Sequence, residues 1–295
     1  MGGSRPFHKA FEGVLSDWRA EGDPRLPADS DESSEEGAEA VAAGSVAAGP
    51  ARMESHEIAA VLHGRGRRDP NVAFDALSQS CDRCLDGERA KLVRSGALKG
   101  VIGCMRAHLG QQGISAGHEA VQAVGCEALG LMAGGDDGLE QLIFDAGSID
   151  ACLAACDAFP HSEDVLGAAF QAISNVCYGG GDEAGCRRKR AAVNAGALEV
   201  MCVGMAELGL GCQWVQEAAV MAIGGLCNGV DDDGPRRRAH ARALGAVDLA
   251  MKAVEHFPPA HATSTHSQAY QAACATLVRV RGMADEYTGD PLHWA

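Results

Sequence analysis

The chain has 295 residues, 46% hydrophobic but only 4% aromatic, with 25 Lys plus Arg against 40 Asp plus Glu and a formal charge of -15. That balance opposes general nucleic-acid or anionic-membrane binding by the surface as a whole and leaves only local basic patches for such contacts. The apolar content is carried by Ala, Val, Leu, Cys and Met, residues that fill close helix-helix contacts, so composition favours α over β structure.

No run approaches the roughly 18 apolar residues needed to span a bilayer, and no apolar segment of signal-peptide type follows Met1, so neither a membrane span nor a secretory signal is expected. Most of the twelve cysteines fall inside apolar helical patterns: Cys104, Cys126, Cys152, Cys156, Cys177, Cys202, Cys227 and Cys274. They read as reduced, buried small hydrophobes in a cytoplasmic or nuclear protein.

Residues 1–52 are expected to form a disordered acidic tail, because the turn-formers, small residues and the run from Asp29 to Glu39 cannot bury enough apolar area to offset chain entropy. Within it, Phe7, Phe11, Val14, Leu15 and Trp18 recur at helical spacing, predicting a short amphipathic helix over 6–19. So short a helix is marginal alone; it orders on a partner, on this protein's own surface, or as a cap of the fold.

From residue 53 onward the chain repeats itself. The segments at 92–105, 143–156, 192–205 and 241–254 align without gaps, each placing a glycine at the same point: Gly96, Gly147, Gly196 and Gly245. By subtraction these lie 51, 49 and 49 residues apart. Between them a second pattern recurs at 121–133, 166–178 and 215–227, with a looser copy at 270–282 and an incomplete one at 72–81. One unit therefore predicts a short helix, a glycine bend, a second helix, a loop and a longer third helix, with stacked units sharing one core.

The phrases SGALKGVIGCM, AGSIDACLAAC, NAGALEVMCVGM and LGAVDLAMKAV, with EALGLMA, QAISNVC and MAIGGLC, resemble the armadillo repeat family over roughly residues 70–282, with HEAT-like repeats as the structural alternative. The resemblance implies an all-α fold, a right-handed superhelix of about four three-helix repeats over 53–283, followed by a C-terminal tail at 284–295. It implies a protein-protein interaction scaffold or adaptor that holds a protein or peptide segment along a concave face. Family members that read extended basic peptides carry an Asn on the third helix, often with a Trp one turn before it. Here Leu131, Asn175 and Gly225 stand at the Asn position and Glu127, Gln171 and Met221 at the Trp position, so the ladder is missing and only Asn175 fits. Glu127, Gln171 and Asn175 are the candidate groove residues, with Asn175 bonding either the backbone of an extended partner or neighbouring loop carbonyls, and Trp214, which opens a third helix, is either an exposed anchor or part of the inter-repeat core.

Two basic clusters interrupt the acidic background: Arg187, Arg188, Lys189 and Arg190, and Arg236, Arg237 and Arg238. Both precede a bend glycine at equivalent distance, so they occupy equivalent first helices and are expected to stack as a basic ridge for an acidic segment or a phosphate, or else to be solvated helix starts. The single CxxC of Cys81 and Cys84 has no second pair at zinc spacing. Gly179 to Gly181 lack the Gly-Lys-Ser/Thr of a phosphate loop and read instead as a flexible inter-repeat linker. No nucleophile elbow, kinase signature or HExxH motif is present, so neither catalysis nor a cofactor is expected. Two other readings stay open: a regulatory subunit held shut by its N-terminal helix, and an enzyme built on an α-solenoid.

Overall fold

The computed structural model describes residues 52–109, 116–134, 138–178, 182–229, 231–256 and 280. The chain divides into two compact units, Met1–Met53 and Glu54–Ala295, and the fold below is that of the second. The expected acidic tail before residue 52 with its helix at 6–19, the Gly179–Gly181 linker, the third-helix copy at 270–282 apart from Val280, and the tail at 284–295 lie outside the described residues.

The described part is all-helical, with no strand. The α-helices run α1 Ser55–His63, α2 Pro70–Leu85, α3 Arg89–Arg94, α4 Ala97–Leu109, α5 Ala116–Ala133, α6 Leu139–Asp145, α7 Ser148–Ala158, α8 Glu163–Val176, α9 Glu183–Asn194, α10 Ala197–Leu208, α11 Gln213–Cys227, α12 Gly234–Ala243 and α13 Ala246–His256. Among the described residues no single helix is long and apolar enough to cross a membrane.

Helix starts follow local chemistry. Asp69 caps α2 by accepting the Asn71 amide at 2.9 Å, with Pro70 at the first helical position, where its missing N–H costs nothing. Asp182 caps α9 through the Gly185 amide at 2.9 Å, and Ser162 caps α8 through the Val165 amide at 3.3 Å.

The bends are equally regular. Gly96, Gly147, Gly196 and Gly245 sit at φ of 90°, 86°, 94° and 79°, left-handed values that an L side chain adopts only under strain. Each accepts back into the helix in the same way: the Gly amide donates to the carbonyl three residues earlier, and the Gly carbonyl receives the amide four residues later. At Gly196 this turns α10 by 58° from α9.

Like packs on like. The long helices α2, α5, α8 and α11 contact one another in succession, as do the second helices α4, α7, α10 and α13, with α1 set against α4. The seam of the long helices is an Ala-Leu/Ile pair repeated in each: Ala76-Leu77, Ala128-Leu129, Ala172-Ile173 and Ala222-Ile223, all essentially fully buried. Alanine lets the axes approach, and a Cβ added at Gly130 would meet the Ala172 Cα at 3.2 Å. Burying each Leu or Ile contributes about 1.5–3 kcal/mol. The segment 72–81, an incomplete copy by sequence, belongs to the full helix α2.

A polar tie recurs as well. Gln122 and Gln216, at the same place in α5 and α11, each donate an amide N–H at 2.9 Å to a second-helix carbonyl, Met105 and Met205, nine residues past their respective bend glycines. The cysteines among the described residues are all free and buried. Burial pushes the Cys177 and Cys227 thiols, which end equivalent third helices, up to about 12, which removes thiolate reactivity.

The bend predicts a measurable cost. A Cβ at Gly196 would find its nearest neighbour, Glu199 Oε2, only at 4.0 Å, so Gly196→Ala brings backbone strain without a clash. It is expected to lower the urea-unfolding free energy by about 1–2 kcal/mol, whereas Gly211→Ala, in open space at a φ that is not left-handed, should leave the midpoint nearly unchanged.

Candidate partner-binding surfaces

Aligning the buried Ala-Leu/Ile pairs sets the register of the long helices. Gln79, Leu131, Asn175 and Gly225 form one row, and Asp75, Glu127, Gln171 and Met221 the row one turn earlier. These positions are partly or fully exposed, while the pairs between them are buried. The rows form the accessible stripe of amphipathic helices whose other faces are consumed by stacking.

The polar groups on this stripe are not all satisfied. Asn175 donates its Nδ2–H to the Gly130 carbonyl near the end of α5 at 3.1 Å, tying neighbouring third helices together. The Oε1 of Gln171 is buried without a hydrogen-bond partner among the described residues. Burial, reinforced by the Asp82 carboxylate, pushes the Glu127 carboxyl up to about 7. Glu217, one turn before Met221 in α11, is pushed up to about 7 by burial alone, and its Oε1 also lacks a partner. Glu217 and Asp82 were not singled out from sequence, although the spacing of four between Glu217 and Met221 is the signal that places them on one stripe.

Trp214 is half-buried and bridges two repeats. Its indole lies across Gly167 of α8, so closely that a Cβ there would fall 1.9 Å from the ring, and its Nε1–H donates to the Glu163 carbonyl at 3.0 Å. Of the two expectations for Trp214, the inter-repeat contact describes this geometry.

The expected basic ridge needs correction, because three of its cations point inward. Arg188, Lys189 and Arg237 are only 4%, 2% and 3% exposed. Arg188 Nε donates to the Val176 carbonyl at 2.8 Å and its Nη2 to the Tyr178 carbonyl at 2.9 Å. One repeat on, Arg237 does the same, with Nε on the Leu226 carbonyl at 2.7 Å and Nη2 on the Asn228 carbonyl at 3.3 Å. The last carbonyls of a helix lack intrahelical donors and carry partial negative charge, so a guanidinium from the next first helix is a fitting cap. Lys189 reaches the Asn228 carbonyl at 3.4 Å, and burial lowers its pKa. Arg187, Arg190 and Arg236 remain exposed and Arg238 half-buried.

Arg237 is anchored further by Asp231, whose two oxygens accept from Nη1 and Nη2 at 2.7 and 2.6 Å. Those hydrogen bonds hold the Asp231 carboxyl down to about 2.

Two predictions come from these contacts. A carboxylate with a depressed folded pKa contributes stability above its unfolded value, near 4, that is lost as pH falls through the folded value. Urea midpoints of the wild type should therefore fall more steeply between pH 4 and pH 2 than those of Asp231→Asn; parallel profiles would show that the pair is not linked to folding. In a background with Trp18 and Trp294 changed to Phe, Gly167→Val should displace the remaining indole and red-shift its fluorescence, while an unchanged spectrum would place Trp214 elsewhere. Compared with protein-family models, curated proteins and solved structures, the chain matches none.

Proposed function

We propose that the Glu54 unit is an armadillo-type solenoid acting as a non-catalytic scaffold, and that it binds an extended protein segment bearing Lys or Arg along the third-helix stripe. The observation that carries this is the row of partly or fully exposed Asp75, Glu127 and Gln171 at one register of successive long helices, continued in α11 by Glu217 one turn before that row. Carboxylates and amides that keep accessible surface on successive long helices offer acceptors to an incoming chain rich in N–H groups. Acceptors on successive repeats suit an extended segment better than a compact ligand, because each repeat adds a similar contact at a fixed interval. The missing Trp-Asn ladder removes the peptide grip known from importin-like relatives of this architecture, so recognition here rests on carboxylates and amides, with affinity set by a few anchors.

Carboxyls held near 7 make the interaction pH-dependent. Glu127 and Glu217 gain negative charge between pH 6 and pH 8, so a cationic segment should bind more tightly as pH rises. Fluorescence anisotropy with labelled ten-residue peptides, Lys/Arg-rich or neutral, tests this on the full chain. The basic peptides should bind preferentially, tighten from pH 6 to pH 8, and lose about tenfold in affinity, or about 1.4 kcal/mol, in the Glu127→Gln/Glu217→Gln variant. Equal binding of both peptide classes, or no effect of the substitutions, would refute it.

A further inference from the structure

Once Arg188, Lys189 and Arg237 are assigned to the helix ends, Arg187, Arg190 and Arg236 are the exposed cations left in the two clusters, and two of these three come together. Arg190 and Arg236 converge on one open cleft of about 320 Å³ between α9 and α12, lined also by Asn194, Asp233 and His240, with Val193 and the Arg237 side chain. Asp233 ties the two arginines together: its Oδ2 pairs with Arg190 Nε, and its Oδ1 lies 3.7 Å from Arg236 Nη1. The carboxylate is 24% exposed beneath guanidinium groups that are 51% and 85% exposed. His240 Nε2 lies 2.9 Å from Glu199 Oε1.

The donor inventory is one-sided. A guanidinium offers five N–H groups. Arg190 commits only Nε, and Arg236, at 3.7 Å, forms no hydrogen bond among the described residues. Asn194, at the end of α9, is exposed and adds an amide. The geometry points to this cleft as a binding site for a phosphate monoester carried on a serine or threonine of a partner protein.

A phosphate suits it better than a carboxylate. Asp233 already gives each arginine a single carboxylate oxygen, so a second carboxylate adds little. A phosphate monoester carries about -1.5 to -2 charges and three terminal oxygens, enough to engage the free forks of both arginines together with the amide of Asn194. The volume lies at the lower end of small-ligand pockets and suits one modified side chain. A protein carrier is favoured over a lipid surface because the formal charge of -15 repels an anionic bilayer brought close to the rest of the chain.

The test titrates the full chain with an eight-residue phosphoserine peptide, its unphosphorylated form, a Glu-substituted form, inorganic phosphate, and vesicles containing phosphatidylserine. The phosphopeptide should bind at least about tenfold more tightly than its Glu or unphosphorylated forms, with inorganic phosphate competing weakly. Arg190→Ala/Arg236→Ala should weaken it by about tenfold or more. Arg65→Ala/Arg187→Ala, which removes the same charge from exposed positions outside the cleft, should change it less than about twofold. Arg190→Lys/Arg236→Lys keeps the charge but loses the planar fork, so it should retain the thermal melt and still weaken binding. Equal losses in the cleft and control variants, equal binding of the Glu peptide, or binding of vesicles without the phosphopeptide would each overturn the proposal.

Discussion

Everything in the Glu54 unit depends on the burial of one short pair, Ala followed by Leu or Ile, on each long helix against the next. A single three-helix unit has no partner of its own for that seam, and the apolar face it presents would be left in water. The seam repeats at Ala76-Leu77, Ala128-Leu129, Ala172-Ile173 and Ala222-Ile223, each pair essentially inaccessible to solvent. Because the side chain beside each Leu or Ile is only a methyl group, the long helices sit close, and everything placed one turn away on the same helix is brought into line from repeat to repeat.

Close stacking creates a second demand, for donors at the helix ends. The carbonyls closing α8 and α11 are covered by the next first helix, and they are met by Arg188 and Arg237 in matching geometry. A cation spent in this way serves the interior even though its sequence context looks like a surface cluster. Asp231 then balances the buried Arg237. The Gln122 and Gln216 ties to Met105 and Met205 do similar work between second and third helices, and the middle repeat, with Leu166 at that place, does without one.

The same stacking leaves two polar regions whose groups are incompletely paired among the described residues. One is the stripe of carboxylates and amides on the long helices, where burial pushes the Glu127 and Glu217 carboxyls up to about 7. The other is the cleft where Arg190 and Arg236 meet over Asp233. Their opposite charge gives the two surfaces different chemistry, and each draws its side chains from more than one of the stacked helices.

By itself the sequence determined the helical class, the phase of the repeat and the bend glycines, because these rest on side-chain period and on a backbone angle that only glycine tolerates cheaply. It also marked Glu127, Gln171 and Asn175 as sharing a face, since spacing along a helix dictates direction. Only the tertiary structure decided which cations face inward, that Trp214 lies over Gly167, and that Asn175 is tied to Gly130. Each of those outcomes depends on a carbonyl or a gap supplied by a neighbouring helix, and no local pattern encodes where that helix will end.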